Sequence, residues 1–148
     1  MRVKTLWVML GLFCSACAEQ ESASSPCDDE TRSQPFEVGA EAVGEQERLV
    51  VDLVEVGASF LEVGSTNWVI SISDTSSGEP ISGCDVDVTL WMPDHGHGSG
   101  SPDLSEQTDG TYAIDDLFFS MGGYWTITTS ITCAELTDIA VFGFCVES

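Results

Sequence analysis

The chain has 148 residues, 43% of them hydrophobic, with 25 acidic side chains against 4 basic ones and a formal net charge of -21. That is enough apolar material for the core of one domain. The charge excludes attraction to a phosphate backbone or an anionic lipid surface, so direct nucleic-acid binding is ruled out.

In chain order, Arg2 and Lys4 precede an apolar run from Leu6 to Phe13, and the small residues Ser15, Ala16 and Ala18 follow. A stretch of eight apolar positions is too short to span a bilayer and reads as a secretory signal peptide over residues 1–18. Cys14-Ser15-Ala16-Cys17 resembles a bacterial lipobox, with cleavage before Cys17 and a lipid anchor on that cysteine. Ala16-Cys17-Ala18 also satisfies the small-x-small rule, and cleavage after Ala18 would release a soluble protein. The expected location is the cell envelope, as a periplasmic or outer-membrane lipoprotein, with membrane contact only through the lipid. Cleavage after Ala18 would instead make it secreted.

Residues 19–47 are rich in Glu, Ser, Gln, Asp and Ala, a composition that predicts an acidic flexible linker. From residue 48 to 148 the pattern becomes short runs of Val, Ile, Thr, Trp and Phe separated by Gly, Ser, Asp and Pro. Strands are predicted over Leu49 to Val56, Trp68 to Ser73, Cys84 to Met92, Thr111 to Leu117, Tyr124 to Thr132 and Leu136 to Val146. Val86, Val88 and Leu90 alternate with Asp85, Asp87 and Thr89, which gives that strand one buried and one wet face. The expected fold is all-β, an immunoglobulin-like antiparallel β-sandwich of about seven strands, with a small barrel as the alternative.

With Cys14 removed and Cys17 lipidated, Cys27, Cys84, Cys133 and Cys145 remain, an even set that predicts two disulfides in an exported domain. Cys84 is in phase with Val86 and Val88, and Cys133 with Ile127 and Ile131. If those runs pair antiparallel, Cys84 meets Cys133 and Cys27 is left for Cys145. A thiolate metal site is the rival, but no Cys-x-x-Cys spacing occurs.

Both histidines fall in Met92-Pro93-Asp94-His95-Gly96-His97-Gly98, just past the clearest core strand. Met121, in Met121-Gly122-Gly123-Tyr124-Trp125, precedes the strand expected beside it. Met92, His95, His97 and Met121 are therefore candidate metal ligands. Thioether with imidazole is a soft-to-borderline set that suits copper, while His95, His97 and either Asp94 or Asp103 would suit zinc. The bland alternative is a pair of core-filling methionines beside a solvated loop. Acidic pairs such as Asp85 and Asp87 are uninformative in so acidic a chain. Ser99 and Ser101 near His97 lack an orienting partner, so no enzyme activity is expected. Trp68, Trp91, Tyr112, Phe118, Phe119, Trp125, Phe142 and Phe144 are expected to pack the sandwich, with one of Phe118 and Phe119 exposed.

The Met92 to Gly98 element, the Met121 to Trp125 element, Asn67-Trp68-Val69, Gly78-Glu79-Pro80-Ile81 and Asp109-Gly110-Thr111-Tyr112 together resemble the YtkA-like domain family, itself similar in pattern to FixH-type periplasmic proteins. The resemblance runs from about Asn67 to Val146. It implies an exported immunoglobulin-like sandwich, often lipid-anchored, with suspected roles in copper handling or oxidase assembly. Met92, His95, His97 and Met121 are the ligands it implies, and an envelope copper acceptor is the implied partner. The alternative from the residues alone is a metal-free structural or interaction sandwich.

Overall fold

The computed structural model describes residues 24–148. The expected signal peptide and the lipidation site at Cys17 lie outside the described residues. The strands are β1 (Glu41–Val43), β2 (Leu49–Val56), β3 (Gly64–Asp74), β4 (Asp85–Met92), β5 (His97–Gly98), β6 (Asp103–Glu106), β7 (Thr111–Phe119), β8 (Gly123–Cys133) and β9 (Leu136–Val146). No helix occurs among the described residues. One sheet has the order β1-β2-β3-β7-β6 and the other β5-β4-β8-β9, all neighbours antiparallel. This is the expected immunoglobulin-like sandwich, enlarged by the short strands β1, β5 and β6, whose two to four residues are too few for a periodic signal.

Period-two alternation places the core. Val88, Leu90 and Met92 of β4 and Trp125, Ile127 and Ile131 of β8 face Trp68, Ile70 and Ile72 of β3 and Tyr112 and Ile114 of β7 across the sandwich, all buried. Phe119, Phe142 and Phe144 complete the aromatic centre. Trp91 departs from the expected packing, at 43% exposure, whereas Phe118, at 46%, is the exposed member of the Phe118-Phe119 pair, as expected. Each points away from a buried neighbour, Met92 and Phe119 respectively, so alternation itself turns them outward.

The register of β4 on β8 pairs Asp85 with Thr132, which carries Cys84 to Cys133 at the next step. The structure holds a Cys84–Cys133 disulfide and a Cys27–Cys145 disulfide.

The expectation of a flexible linker over residues 19–47 is corrected for its described part. Residues 24–47 form a strap packed on the sandwich. Phe36 sits 5.5 Å from the Trp68 ring and 5.2 Å from that of Phe144, and β1 pairs with β2. The Gln34 N–H donates to the Gly143 carbonyl at 2.8 Å, and the Glu45 N–H to that of Ile139 at 2.9 Å. Composition suggests too little apolar surface to order this segment, but β9 is an edge strand whose outward carbonyls need partners. One aromatic anchor, one disulfide and those bonds together offset the chain entropy.

Candidate metal site

The site stands at one end of the β5-β4-β8-β9 sheet. Pro93 has no N–H to continue the ladder, so β4 stops at Met92. The Met92 carbonyl then accepts the N–H of His95 at 3.3 Å and of Gly96 at 2.9 Å, closing a turn. Gly96 has φ of 66°, a left-handed conformation that glycine adopts without strain. His97 returns as β5 directly opposite Met92, with Gly98 opposite Trp91. A β-carbon on Gly98 would approach the Leu90 carbonyl to 2.6 Å, so only glycine lets the strand return so closely.

The imidazole centroids of His95 and His97 are 6.0 Å apart, at 59° between planes. The Nδ1 of His97 lies 3.3 Å from the Gly98 carbonyl, which can only accept. A proton on Nδ1 leaves Nε2 as the lone-pair nitrogen, the form in which imidazole ligates a metal. His95 is exposed and His97 half-buried.

From β8, Trp125 ties the remaining pieces together. Its indole N–H donates to the Met121 carbonyl at 3.0 Å, and its ring meets His97 edge-on at 5.7 Å. The Met92 methyl covers Gly123, where an added β-carbon would lie 2.7 Å from Cε. Met92 is buried and Met121 half-buried. Two of the sequence candidates, Met92 and His97, are thus cross-strand partners, and the indole of Trp125 spans His97 and Met121.

The oxygen candidates are placed differently. Asp94 gives both oxygens to Arg32, at 2.9 Å from Nη1 and 2.7 Å from Nη2. Hydrogen bonding from that guanidinium holds the Asp94 carboxyl below its ordinary range, and Asp94 in turn raises Arg32. Asp103 belongs to the other sheet, in β6 opposite Asp115. Among the described residues no three or more His, Cys, Asp or Glu side chains gather into a metal cluster, and the four described cysteines are all in disulfides. A thiolate site is therefore absent from this part of the chain, and any metal here would rely on the two imidazoles and the thioethers.

Arg32, Tyr124 and Trp125 were not among the sequence candidates for the site. Arg32 carried one faint signal, as one of two arginines, with Arg48, beyond Lys4 in a chain with no later lysine. Nothing local indicates that it reaches a carboxylate 62 positions away. A larger groove of about 480 Å³, lined by Phe60, Val63, Asn67 and Asp116 among others, lies apart from the two histidines.

A disulfide-braced, two-sheet antiparallel sandwich with a Met/His turn at one end is the class that the fold and site define. The family model described as YtkA-like matches residues 45–130, and the chain belongs to that family. No curated protein matches the chain. Among solved structures, a copper-bound variant of FetP from uropathogenic Escherichia coli strain F11 is similar at a TM-score of 0.48 and 11% identity, over 73% of this chain and 95% of that one. The copper is a property of that protein.

Proposed function

We propose that this chain is an exported, lipid-anchored YtkA-like domain that binds copper through Met92, His95, His97 and Met121 and passes it to an acceptor protein in the cell envelope, such as an assembling oxidase. The observation that carries the reading is the pairing of Met92 with His97 beside a second imidazole. With metal–nitrogen bonds of about 2 Å, two imidazoles sharing one ion have centroids roughly 5 to 6 Å apart. The observed 6.0 Å falls at the upper end of that span. Imidazole and thioether donors favour Cu(I) and tolerate Cu(II). Two disulfides agree with an oxidising compartment outside the cytoplasm. Holding and release need no catalytic group.

A second reading is a metal-free scaffold, favoured by the burial of Met92 at 2% exposure, where it fills the space over Gly123. Calorimetric titration of residues 19–148 with Cu(I) and Cu(II) separates the two. One-to-one Cu(I) binding that disappears when Met92, His95, His97 and Met121 are all changed to Ala is the expected result. Weak binding, equal in both proteins, would overturn the copper reading and leave the scaffold.

A further inference from the structure

We infer that Arg32 sets the metal selectivity of this site, by holding both oxygens of Asp94 and so keeping a hard carboxylate away from the two imidazoles. The inference rests on the metal-binding reading above and adds to it a residue from outside the Met/His turn.

Asp94 precedes His95 in the turn, which makes its carboxylate the nearest in sequence to the two imidazoles. Two imidazoles plus a carboxylate are a donor set for zinc, and they also raise the preference for Cu(II) over Cu(I). In the structure that carboxylate is occupied. Arg32 grips it through two parallel bonds of 2.9 and 2.7 Å, while its Nε and Nη2 bind Glu30 at 3.0 and 2.6 Å. Its guanidinium also lies 4.2 Å over the Tyr124 ring, the neighbour of Trp125 in β8. Both ion pairs found among the described residues belong to Arg32. Of the carboxylates that Arg32 holds, Glu30 and Asp94, it is Asp94 that belongs to the histidine turn.

The clamp is delivered from a fixed backbone. The Cys27–Cys145 disulfide precedes Arg32 in the strap, and the bond from Gln34 to Gly143 follows it. A planar fork is required to take both oxygens at once while stacking on an aromatic ring, which lysine cannot do. The two side chains are about half exposed, at 46% and 49%, so the hold is screened by solvent and its effect is moderate.

The test uses the disulfide-bonded protein with Zn(II) alone and, separately and anaerobically, with Cu(I) supplied without thiol reductant. Arg32→Gln is expected to tighten Zn(II) binding about threefold to fivefold, the upper end of what such an exposed pair contributes, and to leave Cu(I) binding within about twofold. Adding Asp94→Asn to Arg32→Gln should return Zn(II) affinity to that of the wild type, and Arg32→Lys should tighten Zn(II) much as Arg32→Gln does. Arg48→Gln is the control for net charge, since Arg48 sits in the turn before β2, where its backbone N–H, which the substitution keeps, donates to Asp138 at the other end of the second sheet. Zn(II) binding unaffected by Arg32→Gln, tightened equally by Arg48→Gln, or still tightened after Asp94→Asn would each overturn the inference. Absence of Cu(I) binding in every protein, with the Zn(II) pattern intact, would instead remove the copper reading and leave Arg32 as the residue that withholds Asp94.

Discussion

Asp138 of β9 occupies the space that a β-carbon on Gly44 would need, and its two oxygens accept the backbone N–H groups of Gln46, Arg48, Leu49 and Ile139. A fully buried carboxylate thereby takes the place of a ladder partner for the turn that joins β1 to β2. Asp138→Asn would turn an amide N–H toward groups that are themselves donors, and Gly44→Ala would push the carboxylate away from them. Each is expected to lower the unfolding free energy by about 2 kcal/mol, read from urea midpoints at unchanged slope.

The same carboxylate makes stability depend on pH. Burial raises the Asp138 carboxyl, but the four backbone donors outweigh burial and hold it below the ordinary value. Asp74, bound by the Ser76 and Ser77 hydroxyls and N–H groups, is held at about 2. A depressed folded pKa adds stability that is fully present above the unfolded value of about 3.9 and lost as pH falls through the folded value. Acid also relieves repulsion in a chain of charge -21, with the opposite sign. The difference in Tm between wild type and Asp138→Asn isolates the first effect. It is expected to be constant from pH 7 to about pH 5 and to shrink below about pH 4.

Met92 allows packing and ligation to be separated. Met92→Leu conserves volume and should cost less than about 1.5 kcal/mol in a urea titration, while Cu(I) affinity falls at least about tenfold because the thioether is gone. Gly123→Ala should impair both, since Gly123 has φ of 126° and its new methyl would meet Met92 Cε. Unchanged Cu(I) affinity in Met92→Leu would take Met92 out of the ligand set.

The two disulfides should differ in their contribution. Cys84 and Cys133 close a loop with a sequence separation of 49 inside the second sheet, so replacing both by Ala should cost about 4 kcal/mol on chain-entropy grounds. Cys27 and Cys145 are 118 positions apart, for which the same reasoning gives about 5 kcal/mol. The strap can open locally while the sandwich remains folded, so the measured loss for this pair should be smaller. Faster hydrogen exchange at the Gln34 N–H, which is bonded to Gly143, would report that opening.

Much of the fold was legible because strand information is local. The runs expected over Leu49 to Val56 and Leu136 to Val146 coincide with β2 and β9, and the phase of Val86, Val88 and Leu90 assigns the buried face of β4. Cysteine phase works in the same way, since a sulfur two positions from a buried Val shares its side of the sheet. The strap over residues 24–47 was not legible. Its order comes from the unpaired carbonyls of an edge strand about a hundred positions later, which local composition cannot reveal.

For the candidate site, the sequence by itself determined which side chains are candidate donors and where along the chain they lie. The histidines are confined to a glycine-rich turn after a core strand, with Met92 before it and Met121 leading into the neighbouring strand. Tertiary structure alone decided what surrounds them. The β4–β5 return sets Met92 against His97, Trp125 joins His97 to Met121, and Arg32 of the strap takes Asp94. The physical reason is range: alternation and turn chemistry act over a few residues, whereas a cross-strand pair or a guanidinium clamp exists only once two sheets and a disulfide have brought distant segments together.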